Sequence, residues 1–165
     1  CFRKELLREE GYSVGRLDSR YKGEDYMIAG ENPDTDISNE GFAAAYVSGI
    51  HTWLAEIGVD IKRLYRSGDR DLGKNWDWVS TQNGWPRYVN VAPHIGRTMR
   101  ENIDFKVYLA CGIYDLATPC FTATNTIYEN GIDASRVKFS EFEGGHMMYN
   151  HQPSFDKFLK ELRNF

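Results

Sequence analysis

The sequence predicts an α/β fold, and three observations carry that expectation. From Lys106 onward the order reads strand, loop, helix, strand, loop, helix, the pattern of a parallel sheet whose strands are joined by crossover helices. Lys106 to Cys111 is a short apolar run bounded by Gly112, as a buried parallel strand would be. Arg136 to Phe142 alternates polar and apolar residues through Val137 and Phe139, as a strand nearer a sheet edge does. Two strands do not complete such a sheet, so more strands are expected from outside the 165 residues.

The remaining elements follow in chain order. Phe2, Leu6 and Leu7 sit at helical spacing among charged residues, with Gly11 where a left-handed cap would stand, which predicts a short first helix. Residues 12 to 36 hold several Gly, Asp and Asn and read as loop with room for a short extended piece. The strongest helix should have Ser38 or Asn39 as its N-cap and carry Phe42, Tyr46, Val47, Ile50, Trp53, Leu54 and Ile57 on one face, closed by Gly58. Asp60 to Pro86 is polar but contains Trp76, Trp78 and Trp85, so an ordered irregular stretch anchored by aromatics is expected. Tyr88, Val91, Ala92, Ile95 and Met99 recur at helical spacing, with Pro93 in the first turn. Thr118 as N-cap and Pro119 at the first helical position should open a helix that ends near Asn130 and Gly131, and a last helix should run from Ser154 through Phe155, Phe158, Leu159 and Leu162.

Composition narrows the function. A net charge of -4 and the lack of a long Lys/Arg run argue against nucleic acid as a partner. The longest apolar stretch, Phe42 to Ile50, is far shorter than the roughly 20 residues a membrane-spanning helix needs. Cys1, Cys111 and Cys120 are an odd set without the short paired spacings of zinc sites, so neither a disulfide framework nor a metal site is expected. Cys111 reads as a small buried hydrophobe, and Cys120, near a helix start, as a thiol whose pKa could be lowered. No apolar signal core and no initiating Met open the chain, which is expected to begin inside a longer protein.

In open α/β sheets, reactive groups gather at the carboxyl ends of the strands. Asp115 falls in the loop after the first strand and His146 in the loop after the second, separated by a crossover of 31 positions. Adjacent strand ends would bring a carboxylate to an imidazole, where it fixes the tautomer while the other ring nitrogen takes a proton from a serine hydroxyl. Taken singly, Asp115 also fits a helix-capping turn residue and His146 a loop histidine after a Gly pair. Gly11-Tyr12-Ser13-Val14-Gly15 matches the G-x-S-x-G pattern, but Ser13 follows a helical segment and precedes a loop, whereas a nucleophile elbow needs a strand before and a helix after. His151 is expected to order the turn before the last helix, and His51 and His94 to be structural. Met147 and Met148 could line a pocket beside His146 or pack in the core.

The stretches Val14-Gly-Arg-Leu-Asp-Ser-Arg20, Tyr114-Asp-Leu-Ala-Thr-Pro119 and Glu143-Gly-Gly-His-Met-Met-Tyr149, with His151, Pro153 and Ser154, resemble the C-terminal region of bacterial-type serine carboxypeptidases, peptidase family S10 of the α/β-hydrolase superfamily. The resemblance implies a partial α/β-hydrolase fold. Residues 1–104 would be the helical cap region, and residues 105–165 the last two parallel strands with their flanking helices. It implies Asp115 as triad acid and His146 as general base, a peptide substrate, no metal or organic cofactor, and a secreted or periplasmic enzyme. The family's nucleophile lies in a Gly-Glu-Ser-Tyr-Gly type elbow that has no counterpart here, so the partner implied is the missing N-terminal half of the hydrolase. An esterase or acyltransferase of the same fold and a non-catalytic, partner-binding half remain alternatives.

Overall fold

The computed structural model describes residues 1–60, 62–76 and 90–165. It is a mixed helix and sheet structure with one small antiparallel and one small parallel sheet. The expectations for Trp78, Trp85 and Tyr88 lie outside the described residues.

The parallel sheet positions the site. Strand β3 (Val107–Gly112) pairs in parallel with β4 (Val137–Phe142), from Val107 opposite Val137 to Gly112 opposite Phe142. Helix α5 (Cys120–Glu129) is the crossover between them. Strand alternation sends neighbouring residues to opposite faces. On one face Val107, Leu109 and Val137 pack with Phe105 on a core of Ala92, Met99, Ile127 and Ile132, drawn from α4 (Ala92–Glu101), α5 and the turn that follows it. On the other face Tyr108 stacks on Phe158 of α6 (Gln152–Arg163), with ring centres 6.1 Å apart, and Phe142 meets the same ring edge-on. Helices thus cover both faces, as a parallel sheet requires. Glu161 of α6 ties that side down, accepting hydrogen bonds from Tyr108 and Ser140 and an ion pair from Lys138.

Arg136, just before β4, closes the opposite end of the sheet. Its guanidinium donates to the carbonyls of Met99, Asn102, Ile103 and Phe105, satisfying the end of α4 and the turn into β3.

The N-terminal half departs further from the sequence reading. The first helix is a single turn, α1 (Phe2–Glu5), followed by a 3-10 turn over Arg8–Glu10 that ends at Gly11. Within the residues read as loop with room for a short extended piece, two such pieces pair as an antiparallel hairpin, β1 (Tyr12–Val14) with β2 (Lys22–Glu24). Lys4 is buried beneath it and pairs with buried Asp25 at 3.0 Å.

Helix α2 (Ile37–Glu56) has Asp36 at its N-cap position, two or three residues before the expected Ser38 or Asn39, and Gly58 follows its end with φ +78°. Its apolar face is not the buried one. Tyr46 and Trp53 are exposed, as is Ile57 just beyond, and the sole fully buried residue of the helix is Ser38. Helix α3 (Arg70–Asn75), unforeseen in the polar stretch, is capped by Asp69, whose carboxylate accepts the Asp71 and Leu72 amides, and Trp76 after it is exposed. None of the described helices is long and apolar enough to cross a membrane.

Two corrections concern the loop after β3. Against the expectation of no disulfide, with Cys111 a small buried hydrophobe and Cys120 a thiol of lowered pKa, the two form a disulfide that joins the end of β3 to the start of α5. Thr118 does not cap α5. Pro119 occupies the N-cap position, and the Thr118 side chain turns back into the loop toward Asp115.

Candidate active site

Because the two strands run in parallel, equivalent ends lie side by side, and the loops that leave them are neighbours. Asp115 comes three residues after Gly112 and His146 four after Phe142, the last paired positions of the ladder. The amides of Ile113 and Tyr114 donate to Phe142 and Gly144, carrying the strand pairing into both loops. His146 Nδ1 therefore stands 2.8 Å from Asp115 Oδ2.

The carboxylate is 5% exposed and has its hydrogen-bonding capacity filled. Oδ1 accepts the backbone N–H groups of Ala117 and Thr118 at 2.7 and 3.0 Å. Oδ2 accepts the Thr118 hydroxyl at 2.5 Å and the His146 Nδ1–H. Burial alone would raise the Asp115 pKa. Hydrogen bonds from the Thr118 hydroxyl and amide, from His146 and from Ala117 outweigh it and hold the group below its ordinary value, so it is ionised at neutral pH. An ionised acceptor places the histidine proton on Nδ1 and leaves Nε2 as the basic nitrogen. The His146 side chain is 43% exposed, so the ring is held against Asp115 yet partly faces solvent.

Thr118 is the participant that the sequence reading missed. Its hydroxyl donates to Asp115 and lies 3.1 Å from His146 Nδ1, so one side chain touches both members of the pair. The signal was its place three residues after Asp115, where a Ser or Thr can fold back on an Asx-type turn. The disulfide was missed for a comparable reason: Cys111 and Cys120 close off the residues that carry Asp115 and Thr118, a relation visible only when strand end and helix start are placed together.

Gly112 and Gly145 let the loops touch. A methyl group at Gly112 would run into the Gly145 carbonyl oxygen, and one at Gly145 into the backbone of Leu17 and Asp18. The Gly pair before His146 is thus a close-approach device.

Of the other candidates, Ser13 lies within β1, paired across the hairpin with Gly23, and is 1% exposed. It lacks the strand-to-helix turn of an elbow. His151 does order the start of α6: its Nδ1 bonds Ser154 Oγ at 2.8 Å, and that hydroxyl donates to the Glu143 carbonyl. His51 accepts the Tyr65 amide, away from Asp115 and His146. Met148 is buried, whereas Met147 lines a cavity of about 140 Å³ with Arg20, Tyr21, Phe42 and Asn150. A wider groove of about 550 Å³ continues along α2 past Tyr46, Ile50 and Trp53. Cys111, Cys120 and Glu141 bring ligand atoms within 4.8 Å of one another, but both sulfurs are spent on the disulfide and offer no thiolate.

Comparison with protein-family models, curated proteins and solved structures returns no match for this chain.

Proposed function

We propose that this chain supplies the acid and the base of a Ser-Asp-His triad in a serine carboxypeptidase, with Asp115 orienting and His146 transferring protons. The observation that carries the reading is the 2.8 Å contact between His146 Nδ1 and the buried, fully bonded Asp115 carboxylate at neighbouring parallel strand ends. The three motifs around Asp18, Asp115 and His146 direct it to carboxypeptidases. In this reading residues 1–104 belong to a cap region and residues 105–165 to the end of an α/β-hydrolase core.

The chemistry runs in two halves. His146 Nε2 takes the proton of a serine hydroxyl as it attacks the peptide carbonyl, and Asp115 stabilises the imidazolium that forms. The imidazolium then protonates the departing amine, leaving an acyl-enzyme that water hydrolyses by the same path. The serine itself would come from outside these residues, on a preceding segment or a partner chain. The apolar groove along α2, reached from the His146 loop through Met147, suits a peptide substrate. The Cys111–Cys120 disulfide favours an oxidising compartment, consistent with export.

The test is release of C-terminal amino acids from peptides by the protein that contains this segment together with its serine. His146→Ala should lower kcat by roughly three orders of magnitude or more while the fold survives. Near-normal turnover in a folded variant would sink the assignment. Hydrolysis of esters without any peptide cleavage would instead favour the esterase alternative.

A further inference from the structure

The segment Arg16 to Arg20 belongs to neither loop that carries the acid and the base, yet it is bonded to both. The Leu116 amide donates to the Arg16 carbonyl at 3.0 Å, and the Ser19 amide donates to the Tyr114 carbonyl at 2.9 Å, so Asp115 is bracketed on each side. The His146 amide donates to the Leu17 carbonyl at 2.6 Å, and Gly145 lies so close to Asp18 that a methyl group there would meet the Asp18 Cα and Cβ. Asp18 is 7% exposed and receives the Arg20 amide, Nε and Nη2. The Arg20 guanidinium in turn lies over the Tyr114 ring, 4.7 Å from its centre.

The segment is itself anchored at the base of α2. The Arg16 amide donates to Asp36, and the Leu17 amide to the hydroxyl of Ser38, which is 0% exposed and donates in turn to Asp36. A hydrogen-bonded run thus connects α2 to both loops. Side chains anchored at one rigid element and satisfied at a second fix the geometry of what lies between them.

We propose that residues 16–20 are a strap that sets the spacing of Asp115 and His146, with Asp18 as its positioning residue, acting on the His146 loop through its packing against Gly145 and on Tyr114 through Arg20. This rests on the reading of Asp115 and His146 as acid and base. Asp18 touches neither a reacting atom nor the imidazole ring. Its effect is to hold the backbone on either side of each functional side chain.

Nuclear magnetic resonance on the 165-residue chain tests it without requiring activity. In the wild type, the His146 Nδ1 proton should be strongly deshielded by its bond to Asp115. The Ser19, Leu116 and His146 amides should exchange as one cooperative unit, with a shared dependence on denaturant that differs from that of the β3–β4 ladder. Asp18→Ala should abolish the Nδ1 signal. It should also speed exchange at His146 and Leu116 by roughly tenfold or more, the effect of losing a hydrogen bond to a charged group, while the ladder amides stay protected. A folded Asp18→Ala chain that keeps both the signal and the slow exchange would overturn the inference and leave the acid-base pair standing. If that variant does not fold, wild-type exchange decides: His146 and Leu116 amides that open independently of Ser19 overturn the strap. A wild type without the Nδ1 signal removes the pair itself, and the inference with it.

Discussion

Asp115 shows how a buried carboxylate stays ionised. Withdrawal from water raises its pKa, and the donors from Thr118, His146 and Ala117 lower it by more, so the folded value lies beneath the ordinary 3.8. A depressed folded pKa contributes stability that is fully present above the unfolded value and is lost as pH falls through the folded one. The stability of the wild type should therefore decline on acidification below about pH 4, the unfolded carboxylate range. Asp115→Asn should be less stable at neutral pH, and its disadvantage should shrink as the pH drops through that window. Urea midpoints measured at pH 7 and at successively lower pH test this, and a gap that stays constant would mean Asp115 is not held as described. Under the proposed triad the same substitution should cost on the order of four decades in kcat, because an amide no longer selects the Nδ1–H tautomer.

At the scale of the element, the loop from Gly112 to Pro119 depends on its ends being fixed. The Cys111–Cys120 bond clamps them across nine positions of sequence. Closing a loop of that size restrains the unfolded chain by about 2–3 kcal/mol. Replacing both cysteines by serine should lower the unfolding free energy by that amount, and reduced wild type should match the double variant. Unchanged stability on reduction would mean that the bond contributes nothing to the loop. What the sequence revealed at this scale follows a physical divide. β3, β4, α4, α5 and α6 were legible because each is bounded by turn chemistry and carries its own period, and the meeting of Asp115 with His146 follows from parallel strands of equal length. The hairpin at residues 12–24 was not legible, since strands of three residues hold no period. Nor was the role of Thr118, where a hydroxyl bonded to a carboxylate competes with the capping position that propensity favours.

The whole molecule leaves a good deal of apolar surface in water. Among the described residues β3 and β4 each have one ladder partner, so within those residues each has an edge without a neighbouring strand. Phe121 and Tyr128 on α5 are 80% and 72% exposed, Ile103 beside β3 is 83% exposed, and the apolar face of α2 is uncovered at Tyr46 and Trp53. Each is tolerable singly, but open strand edges beside exposed aromatic rings are a template for association. A net charge of -4 opposes this only weakly once salt screens it. The isolated chain should therefore self-associate as its concentration rises, and sulfate should strengthen the association because it favours burial of apolar surface. Sedimentation velocity across a wide concentration range measures this directly. A growing sedimentation coefficient would mean that the open edges and rings act as contact surface in solution, the behaviour expected of a unit that works against further strands. A single monomeric boundary at every concentration, unmoved by sulfate, would mean that the twist and length of β3 and β4 protect their edges without a partner, and the case for strands supplied from elsewhere would lose its physical basis.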